Sequence, residues 1–267
     1  MIAVPIAIPD GFYSIISYVL AGVVGLCVGS FLNVVIYRIP EGMSIVKPNS
    51  HCPKCGYELK WYDNIPILSY CILGGKCRSC KEHISFRYTL VEIVNCLLWI
   101  FCVYWFKSNL IYALISMAIC SLLICIFFID YEHMLIFDRF QIAILVFGIA
   151  AIFFDDIVWY DHLIGGAIGL IVFMGVALAV GKIMGREALG GGDVKLAAVA
   201  GLFLGWQKLL IMVLIASISG SIIMIIIRLK SKEDKEVCFG PFLTVGFLVA
   251  MFFGTNIINW YLTLLGV

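Results

Sequence analysis

Long apolar stretches separated by short polar connections dominate the pattern along this chain. We count eight stretches, each close to the ~20 residues that a helix needs to cross a bilayer. They cover residues 13–37, 88–106, 110–129, 140–154, 163–184, 194–206, 209–227 and 239–265. The fourth and sixth are short, and small residues in the fifth and sixth favour close helix contacts. Because backbone groups in lipid must be bonded within their own segment, the pattern predicts an all-α, polytopic membrane bundle of about eight transmembrane helices.

The composition supports a lipid environment for most of the chain. Hydrophobic residues make up 63% and charged residues 13%, with a mean hydropathy of +1.08. A soluble domain carries about 45–50% apolar and about 25% charged residues, so a soluble fold is excluded. The net charge of +1 gives no case for nucleic acid as a partner. The first apolar run lacks the basic start of a removable signal and is expected to stay as a span.

Lysine and arginine residues set the expected orientation. Eight spans with both ends outside leave only Lys107 and Lys208, of 18 basic residues, on the outer side. Since basic loops stay inside, we expect a multi-pass protein of the inner or plasma membrane. The chain then divides into a first transmembrane helix (1–37), a cytosolic loop (38–87) and a seven-helix membrane part (88–267).

The cytosolic loop carries a metal-binding pattern. It contains Cys52-x2-Cys55, then 21 residues, then Cys77-x2-Cys80. Each pair can place two thiolates on one knuckle turn, and two knuckles form a tetrahedral site for zinc. Disulfides rarely persist in the cytosol, and four thiolates leave no open position, so a structural zinc is predicted. An iron–sulfur site and four free thiols are the alternatives.

Two aspartates lie at the ends of apolar segments. Asp130 ends the third segment and Asp193 begins the sixth, both on the predicted cytosolic side. Acidic groups near membrane spans are costly and are candidates for function. Two carboxylates in reach of one another share a proton, so one can activate water while the other polarises a carbonyl. The alternative is that each aspartate is an ordinary helix cap.

Three consecutive glycines precede Asp193. Gly190, Gly191 and Gly192 carry no side chains, which would let an extended substrate backbone approach closely. The sequence therefore indicates a peptide-cleaving site with no need for a metal or a nucleophile at the reacting centre.

The chain resembles a known family over most of its length. The Gly-x-Gly-Asp form of GGGD is that of the GxGD membrane aspartyl proteases, and the wider pattern is similar to type IV prepilin peptidases. The similarity runs from about residue 20 to about residue 245 in the family's order. The stretches that carry it, besides the paired Cys-x2-Cys motifs, are 29–40 (GSFLNVVIYRIP), 61–70 (WYDNIPILSY), 84–92 (ISFRYTLVE), 187–196 (EALGGGDVKL) and 239–242 (FGPF).

The resemblance implies roles for particular residues. The family's catalytic aspartates match Asp130 and Asp193. The family often has Pro-Asp eight residues after the first aspartate; here Phe137 stands in place of the proline, while Asp138 keeps the carboxylate. Asp138 therefore stays open as an alternative partner of Asp193, with Asp130 favoured by the motif.

Further residues are candidates for secondary roles. Glu187 and Lys195 flank the GGGD motif, and Glu132 follows Asp130. The acidic pair could attract a basic leader peptide, although solvated interfacial charge is an equally good interpretation.

The resemblance also implies a substrate and a methyl donor. Similar proteins cut the basic leader of type IV prepilin or pseudopilin precursors after a glycine at the cytosolic face. Many then methylate the new N-terminus with S-adenosylmethionine, and the zinc knuckle is typical of those members. Two other functions compete with this one. The first is a GxGD protease of general membrane helices that is a peptidase only, and the second is a non-enzymatic scaffold or transporter.

Overall fold

Helices form the regular structure of this protein. The computed structural model describes residues 12–155, 157–185, 189–230 and 238–266. Within those ranges no strand is present apart from two isolated bridges, so the all-α prediction is confirmed. The helices are α1 (Phe12–Arg38), α2 (Leu68–Leu73), α3 (Phe86–Trp105), α4 (Leu110–His133), α5 (Asp138–Ala151), α6 (Trp159–Met184), α7 (Gly191–Leu204), α8 (Trp206–Lys230) and α9 (Gly240–Leu264), with a 3₁₀ turn at Trp61–Asn64.

Six of the described helices are long and apolar enough to cross a membrane: α1, α3, α4, α6, α8 and α9. The protein is therefore a multi-pass membrane protein. Helices α5 and α7 have 14 residues each, which gives a length of about 21 Å. A bilayer core is about 30 Å thick, so the predicted count of eight spans stays a prediction for these two helices.

The chain forms two compact units, Pro5–Cys125 and a second that contains Ile126–Val267. The boundary falls inside α4. The predicted division at residues 37 and 87 follows the loop rather than the packing, and it stays a prediction.

Close contact between α1 and α3 organises the first unit. A Cβ atom at Gly29 would stand 2.8 Å from the Cα of Glu92, so only glycine allows this approach. Nearby, the side-chain amide of Asn95 donates to the Gly25 carbonyl at 2.7 Å. Small residues and interhelical hydrogen bonds are the usual means of holding helices together in lipid.

Helix α7 lies at the centre of the second unit, where it packs against α5, α6, α8 and α9. Its contact with α6 is backbone to backbone: a Cβ at Gly165 would meet the Gly201 carbonyl, and one at Gly169 would meet the Ala197 carbonyl. This bears out the close contact expected from the small residues of these two segments. The packing fixes α7 on several sides, and thereby fixes the residues of its first turn.

Candidate active site and four-cysteine cluster

Asp130 is buried in the last turn of α4, with 6% of its surface exposed. The backbone N–H of Gly240, the first residue of α9, donates to its carboxylate. The contact is so close that a Cβ atom at residue 240 would fall on the carboxylate of Asp130. Glycine at this position is therefore a requirement of the site.

Asp193 is buried in the first turn of α7 and is 9% exposed. The backbone N–H of Gly190 donates to its carboxylate, and the charge of Asp130 acts on it. Its Oδ1 is buried and has no hydrogen-bond partner within the described ranges. Two buried carboxylates that interact electrostatically cannot both ionise easily, so they favour sharing one proton. Such a pair can supply a general base and a general acid together.

The three glycines before Asp193 have different surroundings. A Cβ at Gly192 would stand 2.9 Å from the Cβ of Ile136, so this glycine is required by packing. Among the described residues, a Cβ at Gly191 would meet nothing within 4 Å. The Gly192 carbonyl accepts a hydrogen bond of 2.7 Å from the Gln141 side chain of α5. The turn is therefore anchored at Gly192 and open at Gly191.

Asp138 and Lys195, two secondary candidates, form an exposed ion pair instead of joining the buried carboxylates. Their oxygen and nitrogen atoms are 2.7 Å apart, and the side chains are 63% and 56% exposed. Asp138 is the first residue of α5, and its side chain is held at the surface by Lys195. Asp130 is therefore the carboxylate that the fold brings into the electrostatic reach of Asp193. Glu132 is exposed in the last turn of α4, whereas Glu187 lies outside the described residues.

Two residues of this site were not predicted. Gly240 belongs to the FGPF stretch, which carried the resemblance but received no role. Gln141 is a polar residue in a predicted apolar segment, and that position is the only signal that the sequence offers. The structure shows that the side chain is buried.

The four cysteines of the loop come together as predicted. Their sulfur atoms all lie within 4.8 Å of one another, with Cys52 to Cys80 at 3.8 Å and Cys55 to Cys77 at 4.0 Å. Four sulfurs around a tetrahedral zinc with bonds of ~2.3 Å stand about 3.8 Å apart. The cluster therefore has the donor set and the spacing to bind a metal ion.

Each cysteine pair lies on a tight turn of the same design. The N–H of Gly56 donates to the Cys52 carbonyl, and the N–H of Lys81 donates to the Cys77 carbonyl. Gly56 and Lys81 both have positive φ, at 71° and 61°. Backbone N–H groups of Cys80 and Ser79 lower the pKa of the Cys77 thiol to about 7, which favours the thiolate that a metal requires.

Polar contacts brace the loop between the two turns. Asp63 is buried and accepts a hydrogen bond of 2.7 Å from Arg78, and another from Tyr57. Burial raises the pKa of Asp63, but the hydrogen bonds from Arg78 and from the Lys60 N–H outweigh it and hold the pKa below its usual value. The ionised Asp63 thus ties the 3₁₀ turn to the second cysteine turn.

Glu92 joins the loop to α3. Its carboxylate accepts a 2.8 Å hydrogen bond from the N–H of Ile67. Ile67 has φ of 60°, which is an unusual conformation for a β-branched residue. The hydrogen bond between Ile67 and Glu92 thus holds the loop to α3.

Known proteins resemble this chain over most of its length. Residues 23–106 match the bacterial peptidase A24 N-terminal domain, and residues 117–225 match the type IV leader peptidase family. A prepilin leader peptidase/N-methyltransferase of Myxococcus xanthus is 41% identical over an alignment of 246 residues, with 88% of this chain and 73% of the relative covered. Proteins of that name from Pseudomonas aeruginosa and Legionella pneumophila are 34% and 33% identical, with 91% and 92% of this chain and 92% and 94% of the relatives covered. No solved structure matches this chain.

A multi-pass helical protein with two buried, interacting carboxylates at helix ends has the architecture of a membrane aspartyl protease. The chain belongs to the type IV leader peptidase family. Membership in a family of enzymes leaves no support for the scaffold or transporter alternative.

Proposed function

We propose that this protein cleaves the leader of type IV prepilin or pseudopilin precursors with the Asp130–Asp193 pair, and then methylates the new N-terminus. The observation that carries the proposal is the burial of both carboxylates in one compact unit, where the charge of one acts on the other. Relatives named for both activities match nearly the whole chain.

The pair supports a metal-free hydrolysis. One carboxylate, ionised, takes a proton from water while the water oxygen attacks the scissile carbonyl carbon. The other, protonated, gives its proton to the carbonyl oxygen, and a tetrahedral diol forms. Collapse of the diol transfers a proton to the amide nitrogen and breaks the C–N bond. The products are a leader with a C-terminal carboxylate and a mature chain with a free amine.

The position of the pair suits a substrate that is itself a membrane helix. Asp130 is in the last turn of α4 and Asp193 in the first turn of α7, which places both at helix ends. We propose that this end faces the cytosol of an inner or plasma membrane, since nearly all basic residues fall on that side. A basic leader followed by an apolar helix would present its junction, after glycine, at this depth. Exposed Glu132, with Glu187, would attract the leader's positive charge.

The open glycine provides a test of substrate approach. Gly191→Ala should leave the melting temperature unchanged, because the new methyl group meets nothing within 4 Å. If the substrate backbone passes over this turn, the same methyl should raise the Michaelis constant for a prepilin about tenfold. Steady-state cleavage of a purified precursor measures the effect.

Gly175→Ala is the matched control, since a Cβ on this residue of α6 also meets nothing within 4 Å. It should change neither the stability nor the Michaelis constant. Equal Michaelis constants for Gly191→Ala and Gly175→Ala would remove the proposed approach over residues 190–192.

We also propose that Cys52, Cys55, Cys77 and Cys80 bind a structural zinc ion. Four sulfurs with tetrahedral spacing support zinc, and they leave no position for a reacting water. S-adenosylmethionine would supply the methyl group for the amine that cleavage exposes. We propose that S-adenosylmethionine binds at the cysteine loop, residues 38–87, which is the larger polar region of the chain. This loop belongs to the unit that does not hold the aspartates.

Metal analysis tests the cysteine cluster. Purified protein is expected to contain about one zinc per chain, and Cys77→Ser should lose it because three thiolates remain where four are needed. The matched control is Cys71→Ser, since Cys71 lies exposed on α2 in the same loop and outside the cluster. Elemental analysis by mass spectrometry gives both values. Iron in place of zinc, or full zinc in Cys77→Ser, would contradict the assignment.

A further inference from the structure

Gln141 is a deeply buried polar side chain that contacts the turn just before Asp193. It lies in the first turn and a half of α5 and is 3% exposed. Its Nε2 donates to the Gly192 carbonyl at 2.7 Å, one residue before Asp193. Because a carbonyl can only accept, this contact fixes which end of the amide faces Gly192.

The other end of this amide is unsatisfied. Gln141 Oε1 is buried, and it has no hydrogen-bond partner in the part of the chain that the structure describes. Leaving a buried acceptor unpaired is destabilising, and folded proteins avoid it in the great majority of cases. Covalent geometry holds the two ends of an amide about 2.2 Å apart, so Oε1 lies beside the Gly192 contact.

A second buried oxygen of the same turn, Asp193 Oδ1, also has no hydrogen-bond partner within the described residues. Lys195, two residues after Asp193, is paired with Asp138 and not with either oxygen. The site therefore combines a buried acceptor on Gln141 with a turn that is open at Gly191. Within the described residues, no hydrogen-bond donor reaches Gln141 Oε1.

We propose that Gln141 Oε1 accepts a backbone N–H of the prepilin next to the scissile bond. This inference rests on the proposed function and identifies how the same site holds its substrate. An extended peptide offers backbone N–H groups at regular spacing, and an amide that also holds Gly192 fixes the distance between the substrate and Asp193. Gln141 is thus a substrate-positioning residue whose one side chain sets the register of the peptide.

The test removes single N–H groups from the substrate. Synthetic prepilin segments carry one backbone ester at each position flanking the scissile bond, the scissile bond itself being left as an amide. With the wild-type enzyme, one ester position should lower kcat/KM about 3- to 10-fold more than the others, the size of one neutral hydrogen bond. With Gln141→Met, the unmodified peptide should be cut more slowly and that particular ester should cause no further loss.

Gln141→Glu separates the two ends of the amide. It keeps an acceptor but cannot donate to Gly192, so it should be slower than wild type and yet keep the position-specific ester loss. A purely structural role predicts equal ester losses in wild type and both variants, and this result would overturn the inference. An ordered water as the occupant predicts no sensitive ester position in the wild type, which overturns it as well.

The outcomes also separate this inference from the proposed function. If the wild type cuts the unmodified peptide and Asp193→Asn does not, the protease assignment stands whatever the esters show. If the wild type fails to cut a prepilin at all, the proposed function fails first.

Discussion

Asp193→Asn is expected to lower kcat/KM for prepilin cleavage by at least about 10³-fold. Asparagine keeps the size and polarity of the side chain but can neither take a proton from water nor give one to the scissile carbonyl. Because the two carboxylates act as one unit, the double variant with Asp130→Asn should be little slower than either single variant. Single-turnover cleavage of a purified precursor, followed by mass, measures all three.

Stability provides the control for this prediction. Removing a buried carboxylate relieves a desolvation cost, so the melting temperature of the Asp193 variant should be unchanged or higher. A variant that melts well below the wild type would mean that the aspartate has a structural role. Retained cleavage in a well-folded variant would contradict the dyad.

Gly240→Ala should reduce kcat about 10²-fold or more with a smaller effect on the Michaelis constant. A methyl group at this position would fall on the Asp130 carboxylate, which now accepts the Gly240 N–H. Asp130 or the start of α9 must then move, and the reacting carboxylate loses its alignment with Asp193. The backbone at residue 240 has no positive φ, so the effect would come from the contact and not from strain.

Gly175→Ala again serves as the control, because it makes the same change on a membrane helix with open space around it. Steady-state kinetics of both variants with one prepilin give the comparison. If Gly240→Ala retained the wild-type kcat, the placement of Asp130 against α9 would be wrong.

The apolar pattern predicted the helices well because helix ends in a membrane protein follow the change from apolar to polar residues. The segment predicted at 88–106 is α3 (Phe86–Trp105), and the segment predicted at 194–206 is α7 (Gly191–Leu204). The latter is short, as predicted, and it lies at the centre of its unit. That place is set by contacts with four other helices, which no local pattern contains.

The cysteine spacing also predicted a three-dimensional cluster, because two short-range motifs each fix a turn. Contacts between residues that are distant in sequence bring those turns together, and they include the Asp63–Arg78 pair across the loop. Neither residue could be given a role from the sequence.

The candidate site was predictable only where it follows a motif. Asp130 and Asp193 stand at helix ends in recognisable stretches, but their spacing in sequence says nothing of their distance. Asp138 remained open as a partner because the helical phase is lost between α4 and α5, where Met134 has φ of 54°. The fold places that carboxylate at the surface beside Lys195.

We propose that Asp130, and not Asp138, works with Asp193 in cleaving a prepilin. The most direct measurement compares Asp130→Asn with Asp138→Asn on one purified prepilin in detergent, with the products read by mass. We expect Asp138→Asn to release the leader at close to the wild-type rate, because it breaks only an exposed ion pair, and Asp130→Asn to leave the precursor intact. Cleavage by Asp130→Asn together with its loss in Asp138→Asn would contradict the account.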